Sequence, residues 1–361
     1  MAKKAWLKGI TPAEIIALGV LQPLGPISWN RLRAKVPSCR ELLDMGEMGW
    51  RELGLANGQV DALVNRPTNT SASERLLKSK NIQLITIDDP NYPPLLKEIP
   101  DPPLWLYHRG DIKIAHQKAL SVVGTRKPSS YALAAVKTLL SDKLASKIVI
   151  ASGLAYGIDK TAHERSLECH GKTIAVLAGG LDSIYPTDHF RLSDKIVENG
   201  GALISEYPPL DRPAPWKFPV RNRILAGLAP ATVVIEAKIK SGSLTTAKSV
   251  IDYNRDLFAV PGDITRHQAE GTNFLIKKGA MLLDDAEQLD DYYGLRSKRS
   301  VTEDLTVELK TVVKNLSEPL TIDQLIELTS QPVETLLALV TQLELLELVH
   351  QDDAGKYCLK K

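Results

Sequence analysis

Apolar side chains recur at helical spacing in short bursts along the first 78 residues, predicting helices over 11–18, 28–34, 39–43, 48–53 and 58–64. Ser38, with Glu41 three residues on, has the spacing of a capping box. A Leu24-Gly-Pro-Ile turn between helical stretches suggests a small SAM-like or helix-hairpin-helix domain. Such a module either touches a DNA backbone or serves as a packed helical cap. From about residue 79 the period changes. Ile82-Gln-Leu-Ile-Thr-Ile alternates as a strand does, and the proline-rich runs at 88–94 and 100–103 predict extended, irregular chain. Predominantly apolar runs of buried type then fall at 119–123, 148–151, 173–177, 202–204, 232–235, 257–260 and 280–283. Amphipathic helical stretches, such as 131–144 and 245–254, lie between them. Strands apolar on both faces, alternating with helices, predict an α/β fold with a doubly wound, mostly parallel sheet. Past a short basic linker at 294–304, helical patterns over 307–316, 321–329 and 333–345 precede a hairpin-like end, the outline of a winged helix. The domains expected are therefore 1–78, 79–293 and 305–361.

A length of 361 residues, 43% of them hydrophobic, fits two to three globular domains. Cys39, Cys169 and Cys358 lie far apart with no C-x-x-C pair, as reduced structural thiols do. The first residues lack a signal core and no apolar run approaches the roughly 18 residues of a membrane span, so a cytoplasmic protein without a membrane partner is expected. The net charge of +2 decides nothing; its distribution is more useful. Residues 1–78 hold 11 Lys and Arg against 7 Asp and Glu, whereas 305–361 hold 5 Lys against 9 acids. The expected recognition helix over 333–345 carries Glu334 and Glu344 but no base, which favours a structural or protein-binding wing over DNA readout.

The candidate chemistry concentrates at strand ends. Phe218-Pro-Val-Arg-Asn-Arg precedes the strand at 232–235, and Lys240-Ser-Gly-Ser opens a helix after it. Open parallel sheets bind ligands at the carboxyl ends of their strands, and helix starts attract anions. Lys217, Phe218, Arg221, Asn222 and Arg223, with Trp216, interleave rings and bases as a single-strand nucleic-acid site does. The other reading packs the rings and pairs the arginines with carboxylates. Arg126, after Gly124 and Thr125, projects from the end of the first sheet strand toward either a phosphate or a neighbouring acid. Ser152 and Gly153 begin another glycine-bearing loop, while Lys240, Ser241, Gly242 and Ser243 complete the anion-binding set. His163 and His189 have no partner in sequence, and Asp182, Asp188 and Glu206 lack metal-ligand spacing. With no Walker loop, G-x-G-x-x-G or nucleophile motif, no catalytic residue, metal or cofactor is expected.

These motifs resemble the DNA-processing protein A (DprA/Smf) family along nearly the whole chain. The resemblance runs through Tyr92-Pro-Pro-Leu-Leu, Pro102-Pro-Leu-Trp-Leu-Tyr, Gly124-Thr-Arg, Ser152-Gly-Leu-Ala-Tyr-Gly-Ile-Asp, Gly180-Leu-Asp-Ser-Ile-Tyr-Pro, Ser205-Glu-Tyr-Pro, Phe218-Pro-Val-Arg-Asn-Arg, Glu236-Ala-Lys-Ile-Lys-Ser-Gly-Ser and Val260-Pro-Gly-Asp. It implies an extended Rossmann-like domain that binds and protects single-stranded DNA, forms a homodimer and loads the RecA recombinase in natural transformation. It also implies a variable N-terminal helical domain and a C-terminal winged helix. Arg126 matches the family's DNA-pocket arginine, and Phe218, Arg221, Asn222 and Arg223 match its Phe-Pro-x-Arg-Asn-Arg loop, with Lys217 as a basic neighbour. Thr187 stands where some relatives carry lysine. The rival is a nucleotide-handling enzyme of the phosphoribohydrolase type, which needs a Gly-Gly-x-Gly-Thr loop followed by glutamate. Here Glu236 precedes the loop.

Overall fold

The computed structural model describes residues 6–19, 26–67, 69–295, 305–316, 318–346, 348–352 and 354–359. Packing divides the chain into two units, Met1–Tyr293 and Gly294–Lys361.

The first unit is built on nine strands: β1 (Gln83–Thr86), β2 (Trp105–Gly110), β3 (Ala119–Val123), β4 (Val149–Ser152), β5 (Thr173–Val176), β6 (Ala202–Ser205), β7 (Ala231–Val234), β8 (Asp256–Ala259) and β9 (Met281–Leu282). Their order is β1-β2-β6-β5-β4-β3-β7-β8-β9. Strands β3 to β9 pair in parallel, while β2 runs antiparallel to both β1 and β6. Every residue of β3 to β7 is buried, because helices cover both faces. A fully buried Leu120 or Ile150 contributes roughly 1.5–3 kcal/mol. Most hydroxyls in this layer find acceptors: Ser121 Oγ donates to Leu225 O at 2.7 Å and Ser152 Oγ to Val122 O at 2.7 Å, whereas the buried Thr232 Oγ1 of β7 has no hydrogen-bond partner.

Six helices precede the sheet: α1 (Pro12–Gly19), α2 (Pro26–Lys35), α3 (Cys39–Asp44), α4 (Gly46–Glu52), α5 (Asn57–Val64) and α6 (Ser71–Ser79). The Ser38 side chain caps α3 by accepting from Glu41 N, as its spacing predicts. Residues 20–25, with the start of the turn expected at Leu24, lie outside the described residues. Residue 78 lies in the last turn of α6, and packing does not break between there and β1. Trp29 stacks edge-on against Trp6 and Trp105 with centroids 6.4 and 5.5 Å apart, joining these helices to the sheet in one core.

The remaining helices of this unit are α7 (Pro94–Lys97), α8 (Ser130–Leu139), α9 (Asp142–Lys147), α10 (Ile158–Glu168), α11 (Phe190–Glu198), α12 (Lys217–Leu228), α13 (Gly242–Asp252), α14 (Glu270–Lys277) and α15 (Ala286–Tyr292). Three of these elements differ from expectation. The single helix expected over 131–144 is two, because Ser141 leaves the helical path and caps α9 by accepting from Leu144 N at 3.1 Å. Strand β2 was not expected; the proline-rich run before it stops at Pro103, and Trp105–Gly110 is free to pair on both edges. The Phe218-Pro-Val-Arg-Asn-Arg segment is not a loop but the first half of α12. Pro219 falls in the first turn, where a helix does not need its N–H.

The second unit comprises α16 (Val307–Asn315), α17 (Ile322–Thr329), α18 (Val333–Leu345) and an antiparallel pair, β10 (Val349–Gln351) with β11 (Tyr357–Leu359). Thr321 and Gln324 close a capping box on α17, and a separate core gathers around Leu309, Leu325, Leu336 and Leu343. Nearly all of the basic linker lies outside the described residues.

Candidate nucleic-acid interface

Strand order reverses between β3 and β7: β4, β5 and β6 build outward on one side of β3, and β7, β8 and β9 on the other. Chain leaving the carboxyl ends of β3 and β7 must diverge there, and the divergence opens a crevice. A cleft of about 630 Å³ occupies the position. Its walls are Gly124, Thr125 and Arg126 after β3, Lys238 and Lys240 to Ser243 after β7, and Phe218, Arg221 and Asn222 from α12, with Tyr185 at the rim.

Three cations there have no acid to neutralise them. Arg126, Lys238 and Lys240 are exposed, and among the described residues none has a carboxylate within ion-pair distance. The Arg126 guanidinium lies 4.8 Å from the centroid of Phe218, and Tyr185 meets the same ring edge-on at 5.9 Å. Ser241 stands at the N-cap of α13 without making a cap bond, and its buried Oγ has no hydrogen-bond partner. An acceptor brought into the cleft would meet a free hydroxyl, free cations and an aromatic edge together.

Arg221 acts from beneath this surface. Its guanidinium is buried and donates to Gly153 O at 2.8 Å, to Val176 O, and through Nε to Asn222 Oδ1 at 3.1 Å. Burial lowers its pKa to about 10, Asp159 opposes that shift, and the like charge of Arg126 reinforces it. The group stays cationic at neutral pH. Asp159 sits in the first turn of α10 and accepts from Gly153 N at 3.2 Å and Ala155 N at 3.4 Å. Its pKa is raised by burial and pulled back by Arg221. Glycine is required at 153: a Cβ there would lie 2.5 Å from Arg221 Nη2 and 2.6 Å from Asp159 Oδ2. Asn222 Nδ2 donates to Gly242 O at 3.2 Å, fastening α12 to the start of α13.

Not every residue singled out from sequence reaches the cleft. Lys217 is buried against Asp211 at 2.5 Å and Arg212 O at 2.7 Å, with its ammonium 4.8 Å from the Tyr207 ring and 5.3 Å from Trp216. Arg223 gives Nη2 to both oxygens of Glu206, at 2.6 and 2.5 Å, and Nη1 to Asp101 O at 2.5 Å. Ser152 is fully buried within β4, and Gly153 contributes a carbonyl to Arg221. His163 is buried in α10 with Nδ1 2.6 Å from Thr173 Oγ1. The acids are engaged separately: Asp182 with Lys80 at 2.9 Å, Asp188 with Tyr156 Oη at 2.9 Å, and Glu206 with Arg223. The Glu236 carboxylate accepts from Ser129 N at 2.9 Å and Ser129 Oγ at 2.7 Å, which fixes the start of α8. Sequence reasoning missed Lys238 and Tyr185. Lys238 was visible as the first base of the Lys-x-Lys step after β7, and Tyr185 as the aromatic residue directly before Pro186.

A doubly wound sheet with an unneutralised basic cleft at its switch point, edged by aromatic rings, defines a Rossmann-like polyanion-binding protein. Family comparison narrows the class. The model for DNA recombination-mediator protein A matches residues 83–293, and the chain belongs to that family. It is 33% identical to Protein Smf of Synechocystis over 95% of this chain and 97% of that protein. The structure of DNA processing protein A from Streptococcus pneumoniae superposes with a TM-score of 0.64 at 32% identity, covering 78% of this chain and 97% of that one. DNA processing protein A from Helicobacter pylori, described for its single-stranded DNA binding mode, gives a TM-score of 0.53 at 29% identity over 59% and 96% of the two chains.

Proposed function

We propose that this protein binds single-stranded DNA without regard to sequence and mediates recombination by protecting the strand and delivering it to a RecA-type recombinase in natural transformation. The carrying observation is the cleft itself: Arg126, Lys238 and Lys240 stand unneutralised beside Phe218, so cations for a backbone and a ring for a base occupy one opening. Membership of a recombination-mediator family supports the reading, as does a relative described by its binding of single-stranded DNA. Delivery to RecA rests on the family resemblance alone.

We read the site as non-catalytic and without cofactor. Glu236, which precedes the loop where the phosphoribohydrolase type needs a glutamate after it, is consumed in holding Ser129. Among the described residues, no group of three or more His, Cys, Asp or Glu is placed to hold a metal, and no helix is long and apolar enough to cross a membrane. We further propose a cytoplasmic protein that forms a homodimer through the sheet domain. Exposed Phe274 on α14, with Met281 and Leu282 on the edge strand β9, supplies the apolar surface for it. The acidic second unit is read as a winged helix that does not carry the DNA affinity, and residues 1–78 as a helical domain of the SAM or helix-hairpin-helix kind.

Gel shifts with single- and double-stranded oligonucleotides test the main reading. Preference for the single strand is expected, with log K falling against log salt by about 0.7 per phosphate contacted. Equal affinity for both forms, or a flat salt response, refutes it.

A further inference from the structure

A second depression of about 770 Å³ lies between α8 and α10, and Arg126 lines it as well as the cleft. The two adjoin because the loops after β3 and β4 touch: Ile158 N donates to Thr125 O at 3.2 Å. Gly157, at φ +78°, permits that approach, since a Cβ there would collide with Thr125 O and lie 2.8 Å from the Arg126 carbonyl carbon. The groove has its own basic set. Lys127 and Lys137 are exposed, and among the described residues neither has an ion-pair partner. Lys160 is held by the surface residue Glu164 at 3.5 Å, a solvent-exposed i,i+4 pair that a phosphate can replace. Arg165 is neutralised by Asp142 at 2.5 Å, and Glu168 adds one negative charge to the lining. The free charge of the groove is therefore carried by Arg126, Lys127 and Lys137, with Lys160 weakly held. An aromatic face is present too: Tyr156 is 41% exposed, its hydroxyl donates to Asp188 at 2.9 Å, and its ring rests edge-on against His189 at 5.0 Å.

We propose that this groove is a continuation subsite for the same single strand. Backbone leaving the cleft passes Arg126, runs between α8 and α10 with phosphates at Lys127, Lys137 and Lys160, and sets one base on Tyr156. The inference rests on the reading of the cleft as a single-strand site. The shared arginine and the stacking ring favour DNA over an acidic protein surface, which would need no aromatic platform.

The test uses the full-length protein and two lengths of oligo-dT, about 6 nucleotides to fill one pocket and about 16 to reach past it. The Lys137→Ala/Lys160→Ala variant is expected to bind the short oligonucleotide within about twofold of wild type. On the long one it should lose ~10-fold, and its salt slope should fall by about 1.4 for two lost contacts. Arg126→Ala should weaken both lengths. Wild-type behaviour of the double variant on both lengths, with Arg126→Ala still weak, overturns the groove and leaves the cleft. Silence of Arg126→Ala on both lengths removes the cleft reading itself. Photocross-linking of 5-bromouracil oligonucleotides to the wild-type protein needs no variant to fold: adducts at Tyr156 support the groove, and adducts confined to the cleft refute it.

Discussion

The guanidinium of Arg126 and the ring of Phe218 lie 4.8 Å apart, so the one cation at the end of β3 is oriented by an aromatic face instead of a carboxylate. An acid at that place would have neutralised the charge. The ring directs it and leaves all its N–H donors for an incoming anion.

Arg126→Ala should therefore remove a charge-assisted phosphate contact and cost roughly 1.5–3 kcal/mol of binding. Anisotropy titrations of oligo-dT, with melting curves run alongside, check it. Unchanged affinity in a variant that melts like wild type would show that this arginine does not meet DNA.

Gly153→Ala should act on the fold and the site together. The new methyl would press on both Arg221 and Asp159, at a cost of roughly 1–3 kcal/mol in stability. Because Arg221 also holds the carbonyl of Val176, DNA affinity should fall with it. Denaturant midpoints equal to those of wild type would contradict this account.

Acidification supplies a third expectation. Burial, reinforced by the positive fields of His189 and Arg221, pushes the His163 imidazole down to about 3. The unfolded chain takes up a proton near pH 6.5 that the folded chain refuses, so stability from this residue is intact above about 6.5 and lost as pH falls toward about 3. The loss should exceed 1 kcal/mol per pH unit between about 6 and 5, where few carboxylates yet titrate. Urea unfolding at several pH values measures it, and His163→Gln should flatten the slope. An identical slope in that variant would assign the effect elsewhere.

Truncation after Tyr293 should keep most single-strand affinity, since the division between units falls there and α18 presents glutamates and no bases. A large loss of affinity in a truncated protein that still melts cooperatively would give the second unit a direct role on DNA.

The parallel strands were legible because burial on both faces makes each a largely apolar run, as at Ile148–Ala151. Strand β2 was hidden by the prolines before it, and α6 by its polar composition, with only Leu77 buried. Arg126 was legible because strand, glycine and helix start are adjacent in sequence. The roles of Lys217, Arg221 and Arg223 were not, because all their hydrogen-bond partners but Asn222 stand 5 to 122 residues away, at Arg212 and Asp101 among others. Four charged or polar side chains in the first seven residues of α12 read as a solvated loop. In the fold they are buried, and distant carbonyls and carboxylates satisfy all but the Arg223 Nε.

That anchoring of α12, through Arg223 on Glu206 and Asp101 and Asn222 on Gly242, means the cleft is set before any strand arrives. Little conformational entropy is then left for the protein to surrender on association, and the ordering falls on the DNA. What discrimination remains between sequences is set by the strand's own stiffness. A flexible pyrimidine run enters at low cost, while a self-stacked purine run must first come apart.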